Sequence, residues 1–176
     1  MTIIQTLRRA LILVAIFNVI QIVLQAPYLP AQLAVRFNAA GVAVGFSSAQ
    51  TFATINLVII AIIVMAFLIL PGAMARRRQL RWRLPNRGYW LAIERREKTI
   101  EYLQRQFLWY GIITLLLLMA VFQLVVEANR HTPALLDSTR LVWLLIGYTA
   151  FIIVWGWAFW RRFSKPSPEK SDNPFG

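Results

Sequence analysis

Three side-chain amides in the N-terminal apolar run, Asn18, Gln21 and Gln25, follow i, i+3, i+7 spacing. At about 100° per residue, a helix sets them within a ~60° arc, as one narrow polar stripe. Gln123 and Glu127 form an i, i+4 pair near the end of a second apolar run, and Asn56 lies in a third. Amides and a carboxylate offer hydrogen bonds and one ionic contact. In hydrocarbon such groups turn inward, pair with one another or line a cavity. One reading is interhelical bonding that holds a bundle together, about 0.6 kcal/mol per contact. The other is a polar cavity for a ligand. Arg36 and Asn38 lie between two apolar runs and extend the candidate set to the mouth of that cavity. An ion pair from Arg36 to Glu127 is expected to cap it. Arg130 is the local alternative partner for Glu127, and lipid phosphate the alternative for Arg36.

Little else points to catalysis, and none is expected. The single histidine, His131 in "NRHTP", has no carboxylate or cysteine at metal-ligand spacing, so it reads as a surface residue. Cysteine is absent, which removes disulfides and thiolate metal sites. No apolar run contains serine for a buried nucleophile. No metal or other cofactor is expected.

The elements that must position these residues follow from composition. Of 176 residues, 59% are hydrophobic and 15% charged, with a mean hydropathy of +0.58. Four runs, 10–29, 51–70, 107–126 and 141–160, contain no Lys, Arg, Asp or Glu. Each has the roughly 20 residues that cross a ~30 Å hydrocarbon core. The expected fold is an all-α integral membrane protein with four transmembrane helices, forming a single domain over 1–163. Asn18, Gln21 and Gln25 interrupt the first run, and no clean small-x-small site follows it, so it is expected to stay as a span.

The net charge of +12 is distributed unevenly. Two basic residues near the N-terminus, ten between Pro71 and Gln106 and four in the tail lie on one side of these spans. Only Arg36, Arg130 and Arg140 lie on the other. By the positive-inside rule both termini and the middle loop are cytoplasmic, and no nucleic acid is needed to explain the charge. The expected location is a membrane that the chain crosses several times. Trp109, Trp155, Trp157 and Trp160 at inner ends, and Tyr28 and Trp143 at outer ends, match an aromatic belt of lipid anchors.

Between the first two spans, Val35 and Phe37, then Val42, Val44 and Phe46, alternate with smaller or polar residues on either side of Gly41. This reads as a short extracytoplasmic β-hairpin with Gly41 in the left-handed position. The competing reading is an interfacial helix from Pro30 to Gly41. In the middle loop, Arg76, Arg77, Arg78, Arg81 and Arg83 interleave Leu80 and Trp82. That stretch anchors topology or recognises anionic lipid headgroups or a cytoplasmic regulator. Pro85, Asn86 and Gly88 suggest a turn. From Ala92 an amphipathic cytoplasmic helix is expected, with Ile93, Ile100, Leu103 and Phe107 on one face. It should run into the third span, bending if anywhere at Gly111. Residues 164–176, with three prolines, should be a disordered tail.

The strings "LP…VRFNAAG…GF", "LPNRGYWL…ERR" and a third span ending "EAN" resemble a bacterial membrane family carrying a domain of unknown function. That domain also forms the N-terminal part of SdpI-type toxin-immunity proteins. The resemblance runs from Leu29 to about Asn129. It implies a multi-span fold and a role in protection from a secreted peptide, with signalling to a cytoplasmic regulator. The family commonly has histidine just before Phe-Asn, where this chain has Arg36. Arginine neither binds metal nor titrates near neutrality, so a histidine-dependent role does not carry over. The full immunity proteins also have further helices beyond four. The functional expectation is therefore a non-catalytic binding or sensing protein, with a small transporter or transporter subunit as the alternative.

Overall fold

The computed structural model of the chain describes residues 2–76, 87–90 and 92–164. It is built from α1 (Ile3–Gln25), a hairpin of β1 (Gln32–Phe37) and β2 (Ala43–Ser48), α2 (Ala49–Arg76), a four-residue α3 (Arg87–Trp90), α4 (Ile93–Ala128) and α5 (Ser138–Ser164). α1, α2, α4 and α5 are each long and apolar enough to cross a membrane. They extend beyond the charge-free runs, taking in polar residues at their ends. α1 starts at Ile3 rather than near residue 10, and Pro27 turns its end into a 3-10 turn over Ala26–Tyr28.

α4 is the centre of the bundle and packs against α1, α2 and α5. α1 faces it with Leu7, Leu11, Ala15, Asn18 and Ile22, a buried stripe at i, i+3 and i+4 spacing. The core joins these residues to Ile60 of α2 and to Leu108, Ile112, Leu115, Phe122 and Val126 of α4. α4 runs as one helix of 36 residues, continuous through Gly111. Gly111 is a packing position rather than a bend. A Cβ there would lie 2.8 Å from both Leu11 Cδ1 and Phe67 Cγ, so three helices meet where α4 has no side chain.

α5 leans on α4 along its length, meets Trp90 of α3 through Phe163 at one end, and packs Leu141 and Leu144 beside Leu136 and Phe37 at the other. No residue in its most apolar 18-residue window is buried. Its contact with α4 is aromatic and polar. Tyr148 lies against Tyr110, ring centroids 6.4 Å apart, and its hydroxyl is 3.0 Å from Thr114 Oγ1. Trp155 corrects its expected role as a lipid anchor. Its indole N–H donates inward to Gln106 Oε1 at 2.9 Å, and its ring lies 5.4 Å from that of Tyr110. Trp109, Trp143, Trp157 and Trp160 do point outward.

The hairpin replaces the competing interfacial helix. Its strands are antiparallel with Gln32 opposite Ser48 and Phe37 opposite Ala43. The simple alternation is broken by an irregularity between Ala34 and Arg36, so Leu33 and Ala34 are both buried in sequence. A bulge of this kind re-aims one strand without ending the pairing. Gly41 has φ +80°, and its N–H donates to the Asn38 carbonyl at 2.9 Å. The connection after α4 returns to this turn, where Leu136 N–H donates to Gly41 O at 2.8 Å.

At the opposite end, a separate small core surrounds Phe163, with Leu103, Trp90, Tyr102, Phe107 and Phe159. Leu103 and Phe107 join it as their shared face implies, but Ile93 is 96% exposed. Of the turn expected at Pro85, Asn86 and Gly88, the first two lie outside the described residues and Gly88 belongs to α3. Arg77, Arg78, Arg81 and Arg83, and the tail from residue 165, lie outside the described residues, while Arg76 closes α2.

Candidate functional site

The amide stripe of α1 meets its counterpart on α4 near the hairpin end. Gln21 and Gln25 both donate from Nε2 to Gln123 Oε1, each at 2.9 Å. Gln123 donates in turn from Nε2 to Glu127 Oε1 at 3.0 Å. Glu127 Oε2 is 3.4 Å from Arg140 Nη1, and Arg140 Nε is 2.9 Å from Asp137 Oδ2. A row of polar groups thus runs from the mouth of the bundle into the α1–α4 interface. Asn18, 2% exposed, continues it more deeply by donating to the carbonyls of Val14 at 2.9 Å and Leu115 at 3.3 Å.

The direction of this row follows from its charged end. An ionised carboxylate only accepts, so Gln123 must present its NH2 to Glu127. Its carbonyl oxygen is then left to receive two donors, which Gln21 and Gln25 supply. One consequence is an orphan. Gln25 Oε1 is buried and has no hydrogen-bond partner among the described residues. Turning the Gln25 amide over would bring two carbonyl oxygens together at the present 2.9 Å contact, so the donor assignment stands. Beside Gln25 lies a cavity of about 80 Å³, bounded by Tyr28, Pro30, Val126, Asn129 and Arg130. That is room for two or three waters at ~30 Å³ each, or for the tip of a larger molecule.

Asn129, not singled out from the sequence, joins this site to the hairpin. Its Oδ1 accepts from the Ala34 N–H at 2.8 Å, and its Nδ2 donates to the Ala34 carbonyl at 2.9 Å. The same Nδ2 donates to Val125 O at 2.8 Å, fixing the side chain against its own helix. One amide side chain therefore does for Ala34 what a neighbouring strand would do. The two-stranded sheet makes this possible: Ala34 is paired opposite Phe46, and its N–H and C=O face the outer edge of β1, towards α4.

Three expected positions fall elsewhere. The expected Arg36–Glu127 pair is replaced by Arg140–Glu127. Arg36 is exposed on β1, with its aliphatic stem over Gly45, where Cδ lies 3.0 Å from the place a Cβ would occupy. Arg140 reaches Glu127 because Asp137 starts α5 by accepting from Arg140 N–H at 2.9 Å and holds the same side chain. Among the described residues Glu127 pairs with Arg140 and not with Arg130. Asn38 serves the hairpin turn, its Oδ1 accepting from Val42 N–H at 2.9 Å. Asn56 is buried but donates to Phe52 O of its own helix at 2.9 Å, apart from the Gln123 row.

The arrangement leaves one unmet acceptor, the buried Gln25 Oε1, next to the cavity, and its rim sets two carboxylates, Glu127 and Asp137, against Arg140, so that it can balance one positive charge. It presents no nucleophile beside a base. Comparison with protein-family models, with curated proteins and with solved structures gives no significant match to this chain.

Proposed function

We propose that this chain is a non-catalytic binding or sensing protein of a bacterial inner membrane, with both termini cytoplasmic and the hairpin outside. It takes a hydrogen-bond-donating group of an extracytoplasmic ligand between Gln25 and Asn129. The buried, unpartnered Gln25 Oε1 beside an 80 Å³ cavity carries this reading. A buried acceptor without a partner is worth about 1–3 kcal/mol to whatever satisfies it. The cavity is too small for a whole ligand, which favours the amide or ammonium of a peptide resting on the hairpin. The resemblance to the immunity family makes a secreted peptide the leading ligand, with a cytoplasmic regulator as the recipient of the signal. The unequal basic charge supports the orientation.

Gentle purification in nanodiscs, with mass spectrometry of what accompanies the protein, tests the reading. A peptide retained by the unaltered chain and lost in Gln25→Leu supports it. Equal retention by both, or no sensitivity to extracellular peptides when the protein is deleted from cells, contradicts it.

A transport reading draws on a different observation, the continuity of the polar row from the rim at Glu127 to Asn18. Under that reading Glu127→Gln abolishes flux in proteoliposomes. A binding protein shows no flux in either form.

A further inference from the structure

The opposite end of the bundle carries a second pocket, unrelated to the Gln25 site. Lys98, Glu101, Tyr102 and Arg105 of α4, Arg162 of α5 and Ile3 of α1 enclose about 210 Å³. Two guanidinium groups from different helices converge on one ring: Arg162 lies 3.9 Å, and Arg105 5.6 Å, from the centroid of Tyr102. Three cations against one carboxylate leave the lining with a net charge of +2. None of these cations is within ion-pair distance of a carboxylate among the described residues. Tyr102 and Arg162 also line a second opening of about 360 Å³, together with Trp157 and Arg161. There the guanidinium of Arg161 is 5.2 Å from the Trp157 ring.

The position of Arg162 is imposed by its neighbour. Phe163 is 1% exposed, sits 5.9 Å from Tyr102 and 4.8 Å from Phe159, and its carbonyl accepts from Trp90 Nε1 at 3.1 Å. With Phe163 locked into this aromatic cage, the end of α5 is held and Arg162 is directed onto Tyr102. A site ordered before its ligand arrives loses less freedom on binding. The level is also defined. Tyr102 and Arg105 lie within about one and a half turns of the charge-free run of α4, which starts at Phe107, and Arg162 lies just beyond that of α5. Membrane headgroups occupy that level, where basic pockets between helices take anionic lipids.

We propose that this pocket binds the phosphate of an anionic membrane lipid, with Lys98, Arg105 and Arg162 as its ligands and the exposed Ile3 and Trp157 beside the acyl chains. Arginine's planar fork suits phosphate oxygens, and stacking on Tyr102 leaves its outer N–H groups free to donate. This inference is independent of the Gln25 reading and of which side of the membrane is cytoplasmic.

Native mass spectrometry of the full chain, titrated with phosphatidylglycerol, tests it. Binding should weaken about fivefold for each cation removed in Arg105→Gln and Arg162→Gln. Lys98→Gln, at an exposed residue outside either stack, should weaken binding similarly without altering thermal stability, which separates lost binding from lost folding. Arg95→Gln, at a residue stacked on Tyr89 instead, removes equal charge and should leave binding unchanged. Equal losses in Arg95→Gln would mean a general basic surface and overturn the site, as would unaltered binding in Lys98→Gln. A parallel arm offers inorganic phosphate to protein in phosphatidylcholine. Saturable binding there that Lys98→Gln weakens assigns the pocket to soluble phosphate and overturns the lipid; its absence, with phosphatidylglycerol bound, supports the lipid.

Discussion

Asn129 and Ala34 exchange two hydrogen bonds, at 2.8 and 2.9 Å, although 95 positions separate them in the chain. Through this pair a helix side chain completes the backbone bonding of a hairpin strand. Asn129→Ala would leave both backbone groups of the buried Ala34 without partners. An expected loss of about 2–4 kcal/mol follows from the desolvation of two unpaired groups. Asn129→Asp should lose at least as much: Oδ1 still accepts from the Ala34 N–H, but the second carboxylate oxygen would face the Ala34 and Val125 carbonyls at 2.9 and 2.8 Å with no proton between them. Reversible unfolding in mixed detergent measures both, and faster amide exchange at Ala34 would locate the loss.

The Gln21–Gln123 bond predicts a coupling between helices. A double-mutant cycle of Gln21→Leu and Gln123→Leu should give an interaction of roughly 0.6–1.7 kcal/mol, the range found for hydrogen bonds inside bundles. Asn56 donates within its own helix and should show no coupling to Gln123 in the same experiment. A cycle value near zero for Gln21 would remove this bond from those that hold α1 on α4.

Glycines in two helices should respond oppositely. Gly111→Val places atoms against Leu11 and Phe67 and should destabilise by about 1–3 kcal/mol through overpacking. Gly147→Ala meets nothing within 4 Å and should be neutral or stabilising by roughly 0.5–1 kcal/mol through helix preference. Thermal unfolding of the two variants side by side provides the comparison.

Gly41→Ala should be disruptive. Its φ of +80° disfavours a side chain, and a Cβ would collide with the Leu136 carbonyl. Loss of at least about 1 kcal/mol is expected from backbone strain alone. Loosening of the hairpin should appear as faster proteolysis near residues 38–42.

Arg36→Gln should change stability by less than about 0.5 kcal/mol, since Arg36 is exposed and the carboxylate it was expected to meet is paired with Arg140. Arg140→Gln should also be mild, within about 1 kcal/mol, because the Glu127 pair is itself open to solvent, with side chains 67% and 41% exposed. Added salt should shrink the second effect while leaving the first unchanged. Denaturation midpoints at low and high salt distinguish them.

Much of this structure was legible in residue order because it depends on local pattern. Runs without charge mark the four long helices, and alternation around Gly41 marks the hairpin. The spacing of Asn18, Gln21 and Gln25 places them on one face, and that face does meet α4. What spacing cannot show is which group answers from another element. Arg140 reaches Glu127 across a connection of irregular structure, and its direction depends on how Asp137 starts α5. Asn129 two residues beyond Glu127 looks like an ordinary helix end until the outer edge of β1 supplies the Ala34 backbone for it to bind. Trp155 has the composition and position of a lipid anchor, yet a neighbouring Gln106 gives its N–H an inward partner.

The unbroken α4 has a mechanical consequence. At Gly111 the side chains of Leu11 and Phe67 close in on the α4 backbone, which makes it a natural crossing point. Asn129 lies about 27 Å from it in one direction and Tyr102 about 13 Å in the other, at 1.5 Å per residue. For any rigid tilt about that crossing the helix is an unequal-armed seesaw. A shift of the hairpin anchor in one direction reappears at the Tyr102 stack with opposite sign and about half the amplitude.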